Sequence, residues 1–187
     1  MKHIFHKTIL IALLIMSVLL LPLPVQARSE AGTSAALLSA PKSATAENVL
    51  LKRLVIKEVL ERYNSPLIAD VDSFMKTCTA HELDCYLLPS ISGVESTFGK
   101  FLMPDSHNPF GWGGGHIYFD TYEDGIEAVG SGLRNNYINR GAHSIDEIGA
   151  IYAGSKTWPT KVKFFLGVFE QAEAEKRMHF SQLAVEL

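Results

Sequence analysis

Residues Leu88 to Trp112, LPSISGVESTFGKFLMPDSHNPFGW, decide how this chain is read. Leu87, Leu88, Ile91 and Val94 recur at helical spacing, and Glu95 follows Ile91 by four residues, so its carboxylate lies along the helix's apolar face. Ser96, Thr97 and Gly99 read as the end of that helix, which puts Glu95 in a last turn where unpaired carbonyls carry partial negative charge. Burial and that negative end both disfavour a carboxylate and raise its pKa. An acid still protonated near neutral pH is what proton donation to a departing glycosidic oxygen requires. The plain alternative is a half-exposed acid that happens to fall near a helix end.

On the N-terminal side, Val49, Leu51, Leu54, Val55, Ile56, Val59, Leu60 and Tyr63 mark a broad helical face that stops at Asn64. Ser65-Pro66 supplies an N-cap and a first helical residue for a second helix, with Leu67, Val71, Phe74, Met75 and Cys78 on one face. Asp84 is the expected cap of the Glu95 helix, and Pro89 predicts a kink or a start delayed to about Leu88. Cys78 and Cys85, the two cysteines of the chain, fall at the corner between these helices. A disulfide is the reading that suits an exported protein, and a metal site with His81 falls short of a four-ligand set.

On the C-terminal side, residues 101–119 have the composition of a loop lobe, with a short strand at Ile117 to Phe119. Its glycines, with no lysine-serine or lysine-threonine pair after them, do not make a phosphate loop. His107 and His116 lack the partners of a metal set, so no metal and no cofactor is expected. Thr121 to Asp124 predicts a capping box for a helix through Tyr122, Ile126, Val129, Leu133 and Tyr137. Gly125, Gly130 and Gly132 lower its propensity, which points to close packing against a neighbour. Ser144 to Glu147 predicts a complete capping box for a short helix through Ala153, and Thr160 opens the last, with Val162, Phe165, Leu166 and Phe169 inward. The fold class is all-α, one domain over 48–187 with a small loop or β-hairpin lobe.

Residues 1–27 read as a signal peptide: Lys2 and Lys7, an apolar run from Ile9 to Leu21, and Val25-Gln26-Ala27 before a cleavage. Left uncut, it would tether the domain to the membrane. Residues 28–47, rich in Ala and Ser, read as a flexible linker. Cleavage leaves 160 of the 187 residues, one domain's worth, and removes two lysines and no acid, so the formal charge moves from −3 to −5. Nucleic acid is excluded as a partner by that balance. A monomer exported to the periplasm, cell wall or exterior is expected.

Four segments also carry a resemblance: Glu95-Ser-Thr-Phe-Gly99, Asn108-Pro-Phe-Gly-Trp-Gly113, Phe119-Asp-Thr-Tyr-Glu123, and Tyr152-Ala-Gly154 followed by Trp158. In this order and spacing they resemble the bacterial glucosaminidase family of peptidoglycan hydrolases, over about residues 84–169. The resemblance implies a lysozyme-like fold, peptidoglycan glycan strands as substrate, and cleavage next to N-acetylglucosamine. Muramidase and lytic transglycosylase activities of the same fold remain alternatives, as does a module that binds glycan without cutting it. Glu95 is the expected general acid. Asp105 and Asp120 are the candidates for a second carboxylate, and a lone acid helped by the substrate's N-acetyl group is the fallback. Asn108, Phe110, Trp112, Tyr118 and Tyr152 are the candidate substrate contacts, with Tyr152 resting on the resemblance alone. Trp112, set among glycines, reads as a ring open to a sugar face; Lys156 and Trp158 read as rim, and Tyr137 as core.

Overall fold

The computed structural model describes residues 46–153 and 155–185, and every regular element among them is helical. The expected signal peptide and residues 28–45 of the expected linker lie outside the described residues. Ala46 and Glu47, placed in the linker by composition, instead begin helix α1 (Ala46–Arg62), as two strong helix formers can. The helix buries Leu51, Val55, Ile56, Val59 and Leu60. Val49, expected on that face, is exposed, because two residues turn a helix by about 200° and set it opposite Leu51.

Ser65 accepts a hydrogen bond from the Leu67 N–H at 3.0 Å, and Pro66 follows as the first helical residue. This opening is a 3-10 turn, Pro66–Asp70, which runs straight into α2 (Val71–Ala80). A disulfide joins Cys78 near the end of α2 to Cys85, with Cα atoms 4.9 Å apart. Closing so short a loop contributes about 2 kcal/mol. Arg134 reinforces the same corner, its guanidinium donating to the carbonyls of His81 and Glu82.

Helix α3 (Leu87–Ser96) carries Glu95. Asp84 caps the turn before it rather than the helix, accepting the Tyr86 N–H at 2.8 Å. Because α3 starts at Leu87, Pro89 falls in the first turn, where a missing backbone donor costs nothing. The helix is buried almost all round, including Ser90, Ser92 and Ser96. Ser92 bonds back to Pro89 O, and Ser96 donates to Pro109 O at 2.7 Å, which ties α3 to the lobe. Tyr86, just before α3, stacks on Phe169 at 5.3 Å and donates to Glu173 at 2.6 Å. Both partners lie on α6 (Trp158–Val185), which packs against α1, α3 and α5 (Ile145–Tyr152).

The expected strand at Ile117 to Phe119 is absent: no strand occurs among the described residues. The Asn108 amide nitrogen takes the carbonyls of Trp112 and Ile117, both at 2.9 Å, so a side chain does what a backbone ladder would have done. Gly113, Gly114 and Gly115 all have positive φ, which rules out an extended run between them.

Helix α4 (Tyr122–Asn136) opens with the capping box between Thr121 and Asp124, and Ile126, Val129 and Leu133 are fully buried. Its glycines mark close approaches. A Cβ at Gly130 would overlap the Thr77 methyl, and one at Gly132 would come within 2.6 Å of Trp112 Cζ2. Helix α5 keeps the Ser144 cap, but Glu147 reaches past it to the His143 N–H at 2.7 Å. No described helix is long and apolar enough to cross a membrane.

Alanine is worth about 1 kcal/mol over glycine inside a helix, while overpacking costs about 1 to 3 kcal/mol. Gly130→Ala is therefore expected to lower the melting temperature. Gly167→Ala, in α6 with nothing within 4 Å of the added methyl, is expected to raise it. Thermal melts followed by circular dichroism check both signs.

Candidate active site

Glu95 sits in the last turn of α3, and the chain leaves that helix through three successive left-handed residues, Thr97, Phe98 and Gly99. Such a conformation costs a β-branched or aromatic residue about 1 to 2 kcal/mol, offset here by tight fixation of Phe98. Phe98 is fully buried against Tyr63 and Phe165, its N–H bonds Ser92 O, and its carbonyl accepts from Ser65 at 2.7 Å. The sharp exit carries the chain away and leaves the half-buried Glu95 side chain at the boundary between α3 and the lobe.

The two carboxylate oxygens of Glu95 have different surroundings. Oε1 accepts the indole N–H of Trp158 at 2.5 Å. Oε2 faces the Cα of Gly111, where an added Cβ would lie 3.3 Å away. Burial raises the pKa of Glu95, while the Trp158 hydrogen bond and then the Lys161 charge pull it part of the way back. The net direction is up, as the apolar helix face predicts.

Beside this acid runs a row of aromatic rings. Tyr152 stacks on Trp158 at 4.9 Å and donates its hydroxyl to Phe110 O at 2.7 Å. Trp112 lies 5.6 Å from Tyr152 and 6.2 Å from Tyr137. Burial, with Glu95 next, holds the Tyr152 phenol well above its ordinary pKa, so it stays a neutral donor.

The sequence candidates separate against this geometry. Glu95, Trp112 and Tyr152 come together. Trp112 is half-buried rather than open, its ring laid against Gly132. Phe110 is fully buried, so its side chain is core and its carbonyl, holding Tyr152, is the part near the site. Asn108 is buried and committed to the loop, donating to two carbonyls and accepting the Trp112 N–H at 2.9 Å. Tyr118 is 57% exposed on the lobe. Asp105 and Asp120 are both exposed, and among the described residues the charge that bears on Glu95 is Lys161, not an aspartate.

Trp158, expected at the rim, is only 4% exposed. Pro159 is tolerated at the second helical position, so α6 begins two residues before Thr160 and turns the indole inward. The available signal was the tryptophan itself, because a buried indole N–H needs an acceptor. Of the histidines, His107 bonds Phe119 O through Nδ1 at 3.0 Å and sets its ring edge-on to Tyr122. A hollow lined by Arg53, Leu54, Lys57, Ile68 and Asp72 contains none of the Glu95 surroundings and is partly closed by the Arg53–Asp72 ion pair. The chain matches no protein-family model and no curated protein sequence.

A carboxyl whose folded-state pKa is raised favours the folded state fully below the ordinary carboxylate range, and that contribution is lost as pH rises through the raised value. Glu95→Gln removes this loss. The variant's stability relative to the parent is expected to increase from pH 4 to pH 7, read from paired thermal melts, and a difference that does not change with pH contradicts the raised pKa.

Proposed function

We propose that residues 48–187 form a lysozyme-like peptidoglycan glycoside hydrolase of the glucosaminidase type, acting outside the cytoplasm, with Glu95 as its general acid. The observation that carries this reading is a single half-buried carboxyl, raised in pKa by burial, at the end of a buried helix and beside a row of aromatic rings. The helical architecture and the Cys78–Cys85 disulfide are consistent with it, the disulfide because such bonds persist in oxidising compartments. The four-segment resemblance supplies the substrate class.

Among the described residues no second carboxylate acts on Glu95, and the chemistry that fits is assistance by the substrate's own N-acetyl group. Glu95 gives its proton to the glycosidic oxygen as the bond from that oxygen to C1 breaks, and the bonding pair stays on the leaving sugar's oxygen. The acetamido carbonyl oxygen of the cleaved residue bonds to C1 and closes a positively charged five-membered ring. Water then adds to C1, its second proton returns to the Glu95 carboxylate, and the ring reopens to the acetamide. Of the aromatic row, the half-buried Trp112, Tyr137 and Tyr152 keep surface for a sugar ring, while Trp158 is covered.

Glu95→Gln keeps shape and can still accept from Trp158, but has no carboxylic proton to give. It is expected to bind purified peptidoglycan and to lose about 10² to 10⁴ in turnover. Near-parental turnover overturns the assignment. Asp105→Asn and Asp120→Asn are each expected to have mild effects, and a loss in either comparable to that of Glu95→Gln names a second carboxylate and replaces the assisted mechanism. Peptidoglycan binding by the parent with no fragments released at any pH identifies a binding module instead.

A further inference from the structure

We infer that Trp158 is a positioning residue that pins Oε1 of Glu95 and thereby leaves Oε2, the oxygen facing Gly111, to carry and deliver the proton. An indole nitrogen has one N–H to donate and no lone pair to accept with. The oxygen 2.5 Å from it therefore accepts, and in a protonated carboxyl the carbonyl oxygen is a stronger acceptor than the hydroxyl oxygen. The bond to Trp158 thus favours the form of neutral Glu95 whose proton is on the other oxygen.

The indole is fixed from several sides. It is 4% exposed, and Tyr152 stacks on it at an interplanar angle of 27°. Tyr152 is itself held by its bond to Phe110 O. On the remaining side Gly149 of α5 comes so close that a Cβ there would lie 2.8 Å from Trp158 Cε3. Phe110 and Gly111 are consecutive, so the segment that holds Tyr152 also supplies the backbone in front of Oε2. At Gly111 the absence of a side chain leaves that oxygen uncovered from the lobe, and φ of +61° is one that glycine adopts without strain. A glycosidic oxygen is thus expected to meet Glu95 at Oε2, from the Gly111 side. When the proton leaves, the N–H of Trp158 stabilises the carboxylate that remains, which keeps the acid from being too weak to use.

The delivery step rests on the glycosidase reading, while the pinning does not, and the experiment separates them. In the purified protein the Trp158 indole N–H resonance is expected to titrate with a single midpoint above the ordinary carboxylate range and to lose that transition in Glu95→Gln. A flat resonance in the parent overturns the inference, whatever the activity. Trp158→Phe keeps a ring in the core and removes the donor. Its Glu95 carboxyl-carbon midpoint, and the alkaline limb of its peptidoglycan release, are expected to rise together by about one pH unit, with kcat reduced more than KM is changed. An unshifted Glu95 midpoint also overturns it. A shifted midpoint in a protein whose parent releases nothing keeps the pinning and rejects the glycosidase.

Discussion

Helix α3 has to be buried on nearly every side, and the rest of the domain is arranged to do it. Its ten residues carry one ionisable group, Glu95, and Leu87, Leu88 and Ile91 are buried together with Ser90, Ser92 and Ser96. Helix α6 and the loop lobe supply much of the cover, with Tyr86 and Phe169 stacked at one end and Ser96 bonded to Pro109 at the other. The disulfide fixes where α3 can begin, by holding Cys85 to the end of α2. Three left-handed residues fix where it ends. Glu95 is the place where this arrangement meets a charge.

The state of that carboxyl is set by opposed effects of unequal size. Burial is the largest and favours the neutral acid, the indole N–H of Trp158 favours the anion, and the more distant Lys161 charge adds a smaller push the same way. An acid buried with no donor would be a poor proton source, held neutral too firmly. An acid bonded by several donors would be ionised at neutral pH and have nothing to give. One neutral donor on one oxygen offsets part of the burial and leaves the net shift of Glu95 upward.

Much of this was legible from residue types at fixed spacing. Periodicity located the helices, Thr121 with Asp124 predicted a capping box that is present, the cysteine pair gave the disulfide, and the glycines of α4 signalled contacts that any Cβ would disrupt. Glu95 stood out because an acid on an apolar face is costly. What sequence could not show was which way loop side chains turn. Asn108 reads equally well as a sugar contact or as a turn residue, and only the four-residue reach back from Trp112 and the carbonyl of Ile117 show that its amide is spent inside the lobe. Phe110 reads as a sugar contact or as a core aromatic, and the fold places it in the core. Trp158 depends on whether α6 starts before or after Pro159, a two-residue difference that decides between rim and site. The expected strand is absent for a related reason, since Ile117 O is taken by the Asn108 amide and Phe119 by Ser106 O and the His107 ring, without a ladder.

Hydrolysis by Glu95 of a glycan bond next to N-acetylglucosamine is proposed here as the chemistry of the site. Digestion of purified peptidoglycan by the parent protein in water enriched in oxygen-18, followed by mass spectrometry of the fragments, tests it. New reducing N-acetylglucosamine ends that each carry one heavy oxygen are the predicted result. Reducing muramic ends or unlabelled anhydro-muramic ends would contradict the assignment of the bond or of water as acceptor, and intact strands would contradict catalysis altogether.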